Sequence, residues 1–436
     1  MRTAMNESRK ESCPRREDVA AWVLGSLKGR AARHVAAHLA HCTECAAGAE
    51  EVRETVRRMR AAPYREPSPG LAERIMQALP GARAPRPRMR LVFRLARAAA
   101  LLVVLGGVVL VVTRNQDRRQ ATADAYRQRL VRQSGEAALW IAAQQEPDGT
   151  WSPSRTGGND AYRPALTALA IMALQRHAPE AQAASIRRGV AALVAMQTPE
   201  GAFCQRRGAQ LYNHAFAANA LFALPEHLAR EPAVEAARAR ALAFSLAAQN
   251  PQGGWDYTAD GPGNTALSIW QIALLTQARA QGWSDDGGHL RRSLAWLQRQ
   301  SDGRVFGYRQ AGVLPPGGGA GLTLTAMAAA TLLDAARTYP ALLPAAGAAA
   351  DAVRQPRFRD DVENPDYYRD YFCARVSAEI ADQRALDAIQ ARLAHAPVVS
   401  GGDGTHWVAN DNWRQAGGDL YATSLALLSP RASRLP

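Results

Sequence analysis

The chain has 436 residues, 47% of them apolar and 21% charged, a length that implies two or three domains and a composition that excludes a wholly disordered protein. The net charge of +14 is uneven: residues 1–97 hold 20 basic and 10 acidic groups, and residues 98–436 hold 33 and 29. The basic excess runs up to an apolar stretch, the pattern of a segment entering a membrane, so direct nucleic-acid binding is not expected.

The head, residues 1–80, comes first in chain order. Three of the five cysteines, Cys13, Cys42 and Cys45, fall in its first 45 residues. That clustering suits a metal site in a reducing compartment and not a disulfide framework. His38 and Cys42 are four apart and project from one helical face. Cys45 follows Cys42 with the short spacing that lets two thiolates grip one ion. Cys13 can return as a fourth ligand if Asp18 to Leu27 forms an intervening helix. Cys13, His38, Cys42 and Cys45 then make a tetrahedral set for one structural zinc ion. His34, one turn before His38, is the substitute ligand; His41 points away and is assigned no role. Between prolines, Gly70 to Leu79 reads as a short amphipathic helix with Leu71, Ile75, Met76 and Leu79 on one face, which needs a partner to cover it.

This arrangement, with the phrase HLAHCTEC, resembles the zinc-binding anti-sigma factor family over residues 10–80. The resemblance implies that the head sequesters an extracytoplasmic-function sigma factor, with Leu71, Ile75, Met76 and Leu79 in the contact. A small helical zinc knuckle with another protein partner is the other reading.

Residues 81–90 form a basic Pro/Arg linker. Ala98 to Thr113 carry no charge, and extending back to Leu91 gives a stretch, 91–113, long enough for a tilted transmembrane helix. Residues 114–127 are a juxtamembrane linker. Arginines flank both ends, so charge says little about orientation; the thiols place the head in the cytosol and the C-terminal part outside an inner membrane.

Residues 128–436 repeat at a period of about 52. Gln144, Gly149 and Trp151 correspond to Gln197, Gly201 and Phe203, to Gln249, Gly253 and Trp255, and to Gln300, Gly303 and Phe306. A degenerate copy ends at Trp407. Each copy lies between two Ala/Leu-rich helical segments, giving six helix pairs whose second members begin near Ala161, Asn213, Asn264, Ala320, Asp366 and Asp419. The expected fold is therefore all-α: a zinc head, one transmembrane helix and an (α/α)6 toroid. The Gln-x-x-x-Gly-x-Trp element resembles the QW repeat of the squalene–hopene cyclase and protein prenyltransferase superfamily, in which its role is structural.

Catalytic residues are not assigned. The Asp-x-Asp-Asp acid of a terpene cyclase does not occur. Asp419, Tyr421 and Thr423 resemble a prenyltransferase segment, but Ala422 stands where the metal-binding histidine belongs, and Asp370 and Cys373 are misspaced. Tyr162, His214, Trp270, Tyr367, Tyr371 and Tyr421, with Asp370 and Asp419, either wall a ligand cavity or fill the core. Two functional readings follow. One is a membrane-spanning anti-sigma factor whose external part senses a ligand or partner, with release by proteolysis or by thiol oxidation. The other is a membrane-tethered enzyme acting on a lipid or polyprenyl substrate.

Overall fold

A computed structural model describes residues 16–61, 120–204, 208–258, 261–285, 288–314, 320–355 and 365–429, together with Cys13 and scattered positions between 70 and 118. The chain divides into two compact units, Met1–Val104 and Leu105–Pro436.

In the first unit, α1 (Arg16–Val23), α2 (Gly29–Leu39) and α3 (Thr43–Ala61) pack on one another. Glu17 and Asp18 lie in the first turn of α1, where carboxylates suit the helix dipole. The apolar core is small: Val19, Val35 and Ala49 are buried, with Trp22, Val23, Leu27 and Leu39 half-covered around them. At roughly 1.5–3 kcal/mol per buried large apolar side chain, such a core is too slight to order three helices unaided. The helix expected over Asp18 to Leu27 runs from Arg16 to Val23 and stops short of Gly25, which has positive φ. Leu71, Ile75, Met76 and Leu79 lie outside the described residues.

The second unit is built from helix pairs. Its first members are α4 (120–143), α6 (Ala183–Met196), α8 (Pro232–Ala247), α10 (His289–Gln298), α12 (Leu343–Val353) and α14 (Gln383–His395). Its second members are α5 (Arg163–His177), α7 (Gln210–Phe222), α9 (Thr265–Ala280), α11 (Ala320–Ala336), α13 (Tyr367–Glu379) and α15 (Arg414–Leu428). Helices α5, α7 and α9 are buried nearly all round. Their apolar residues show no single face, as expected for helices enclosed by protein. Helices α6, α10 and α14 bury one stripe only. Among the second members, α5 packs on α7, α7 on α9, α9 on α11, α11 on α13, α13 on α15, and α15 on α5.

The repeated element is a joint between helices. Gln145 donates through Nε2 to the carbonyls of Gly149 at 3.0 Å and Ser185 at 2.9 Å. Gln197 reaches Gly201 and Ala237 at 3.1 and 2.9 Å, and Gln249 reaches Gly253 and His289 at 3.1 and 3.0 Å. Arg188, Arg240 and Arg292 donate to the other end of the same three amides. The first repeat glutamine is thus Gln145 and not Gln144. In the fourth copy the Gln300 side-chain amide donates to the Trp296 carbonyl of the preceding helix instead, so among the described residues the grip ends after three copies. The glycine is needed twice over: Gly201 has φ +95, and a Cβ there would lie 2.3 Å from the Arg240 carbonyl oxygen.

Two expectations are corrected. Among the described residues no helix is long and apolar enough to cross a membrane. The single-pass span over 91–113 and the inner-membrane placement built on it therefore do not stand, and residues 91–112 themselves lie outside the described residues. The reason is visible in the helices. The strongly apolar α11 has 17 residues, about 26 Å of rise against a hydrocarbon core of ~30 Å, while the 19-residue α3 is studded with Glu and Arg. The fold class is cut back with it. The described residues are mostly helical, with one antiparallel hairpin, β1 (Val398–Gly401) with β2 (Gly404–Trp407), before α15, and the expected (α/α)6 toroid is not shown.

Candidate metal centre and a buried acid–aromatic cluster

The head brings its four expected ligands together. One ligand atom from each of Cys13, His38, Cys42 and Cys45 lies within 4.8 Å of the others, and all four side chains are half-buried. The placement follows from the chain. His38 lies in the last turn of α2, the backbone N–H of Cys42 bonds to the His38 carbonyl at 3.0 Å, and Cys45 sits in the first turn of α3. His34 and His41 are not part of the group.

The electrostatics mark the set as poised for a cation. The backbone N–H of Cys45 holds the Cys42 thiol down to about 7, while burial and the adjacent thiols push Cys45 up to about 12. One sulfur of the pair thus ionises readily and the second resists, because two neighbouring thiolates repel without a cation between them. His38 Nε2 is buried and has no hydrogen-bond partner among the described residues. An orphaned imidazole nitrogen beside three sulfurs is a donor set that fits a metal ion and is consistent with zinc.

In the second unit the sequence-selected residues separate into several environments. His214 is fully buried on α7, with Nε2 2.8 Å from Ser245 Oγ, and burial holds its imidazole down to about 3. Asp370 is fully buried against Arg392, at 2.9 Å through Nη2. Asp419 accepts from the Ala409 N–H at 2.8 Å and lies 3.4 Å from His406. Tyr162 sits half-buried where α5 begins, and Tyr371 packs against Phe372 with ring centres 4.9 Å apart. Thr423 accepts from the Trp407 N–H at 3.0 Å, just as Thr167 does from Trp151 at 3.1 Å, so its match to the prenyltransferase segment serves the repeat.

Tyr367 and Tyr421 do gather, around a residue that the sequence did not single out. Asp411 Oδ2 accepts from the Tyr421 hydroxyl and from the Tyr367 N–H, each at 3.1 Å. Burial and the nearby charge of Asp366 raise the Asp411 carboxyl to about 6, and burial raises Asp366 as well. Tyr368 joins the group: it accepts from the Trp270 indole, and its ring lies 5.6 Å from that of Trp413. No local pattern marks it: Asp411 lies in a polar loop just before α15, and its partners come from α13 and α15.

Searched against protein families and against curated proteins, the chain matches none.

Proposed function

We propose that Cys13, His38, Cys42 and Cys45 hold one structural zinc ion, and that the head so ordered is a regulatory module that sequesters a protein partner. The partner favoured by the resemblance of HLAHCTEC and the spaced Cys13 to the zinc-binding anti-sigma factors is an extracytoplasmic-function sigma factor. The observation that carries the reading is the convergence of four ligand atoms within 4.8 Å in a three-helix unit whose own core is slight. A closed set of four protein ligands leaves no open position for chemistry, which makes the metal a staple for the fold. The second unit, on this reading, is the input side: it binds a ligand or partner and is not required for zinc.

The test is capture from lysate of the source cells on the tagged full chain, zinc-loaded, beside a Cys42→Ser variant. Recovery of a sigma factor on the parent alone supports the proposal. A folded, zinc-bound chain that captures no sigma factor refutes the partner, and equal capture by the variant refutes the role of the metal.

A further inference from the structure

A cleft of about 690 Å³ opens between the end of α7, the start of α8 and the residues that follow α9. That size suits a metabolite-sized ligand. Leu224, Ala229 and Trp283 give it apolar wall, and Gln281 and Arg238 give it polar wall. Arg238 is the unusual member. It is 5% exposed, and among the described residues no carboxylate forms an ion pair with it. Its guanidinium carbon lies 4.4 Å from the centre of the Phe222 ring and 5.2 Å from that of Trp283. Its hydrogen-bond acceptors are neutral: the side-chain oxygen of Gln281 and, at 3.4 Å, the Ala229 carbonyl. Nε is buried with no partner among the described residues.

A buried guanidinium served only by neutral acceptors is an expensive arrangement unless an anion completes it. Aromatic faces lower part of that cost but leave the N–H edges to be satisfied in the ring plane. The two acidic neighbours form no ion pair with it. Glu226 pairs with Arg230 at the exposed rim, and Glu235 is exposed one turn before Arg238.

We propose that this cleft binds an oxyanion group, a carboxylate or a phosphate, with Arg238 as its counter-charge and Trp283 and Leu224 against the body that carries it. Exchange of a neutral acceptor for a charged one strengthens the guanidinium's hydrogen bonds, since charge-assisted bonds are about twice as strong as neutral ones. Burial already lowers the tendency of Arg238 to hold its charge, with Glu235 opposing the effect, and a bound anion would relieve it.

Equilibrium dialysis of the full chain at low ionic strength, with labelled inorganic phosphate and labelled benzoate in parallel, tests this. Saturable binding of one equivalent is expected for at least one probe, weakened at least tenfold in Arg238→Gln and tightened several-fold in Glu235→Gln. Phosphate alone would identify the source as a phosphate group, and benzoate alone as a carboxylate on an apolar body. No saturation by either probe up to ~1 mM, or unchanged binding in a folded Arg238→Gln chain, would overturn the proposal. Should Arg238→Gln not fold, unchanged affinity in Glu235→Gln would overturn it instead.

Discussion

Gln197 holds the carbonyls of Gly201 and Ala237 with one amide group, joining the end of α6 to the middle of α8. Gln197→Ala leaves both carbonyls without that donor, so a loss of roughly 1–3 kcal/mol is expected in urea unfolding. Gln144→Ala should cost far less, within about 0.5 kcal/mol, because Gln145 carries the joint in the first copy. Gly201→Ala should cost at least ~2 kcal/mol, from the positive φ and the close Arg240 carbonyl together. His214 makes the pH prediction. Its imidazole is held down from 6.5 to about 3 by burial, so below pH 6.5 the unfolded chain takes up a proton that the folded chain refuses. The stability it permits is complete above pH 6.5 and is lost as pH falls toward 3. Denaturation of His214→Gln across that range should show a shallower pH slope than the parent. At this scale the sequence was legible wherever a residue's task is set by local spacing. It misplaced the first glutamine because Gln144 and Gln145 are adjacent and spacing with a residue of slack fits either. It missed Asp411 because burial of an acid in a loop depends on α13 and α15 closing over it, which no local pattern encodes.

Among elements, the head is where the proposed metal would compensate for a thin core. Helices α1 to α3 bury three apolar residues fully, and the ligands come from before α1, from the end of α2 and from the start of α3. Metal binding and folding should therefore be one event. Cys42→Ser with Cys45→Ser is expected to expose the amides of α2 and α3 to rapid hydrogen exchange while amides in α5, α7 and α9 keep their protection. Undiminished protection in α2 and α3 would show that the helices stand without the site. The four-residue cluster could be read from the sequence because His-x-x-x-Cys-x-x-Cys keeps three of its side chains together over two turns, and only Cys13 needed the fold to bring it back. The hairpin β1–β2 was not foreseen. Its residues lie in the degenerate last copy, where Gly404 abuts the Glu136 carbonyl of α4 and four residues pair on each side, against the single bridges Gln145–Trp151 and Ser301–Phe306 in two other copies.

For the whole molecule, two compact units with separate cores imply two separable stabilities. Scanning calorimetry is expected to show a larger transition from the second unit that a chelator leaves in place, and a smaller one from the head that the chelator abolishes. The membrane assignment failed at this scale. An uncharged run read in isolation suggested a span, yet the apolar helices of the described residues are short and enclosed by one another. The helix pairs and their joints were visible because they repeat, whereas the architecture they build depends on contacts that repetition alone does not specify. The central claim remains the metal staple. Its most direct test is the metal content of the full chain purified without added metal, determined by atomic emission beside the Cys42→Ser, Cys45→Ser variant. One zinc per parent chain and none in the variant is the predicted result. A parent chain with a folded head and no zinc, or a variant that retains it, would contradict the account.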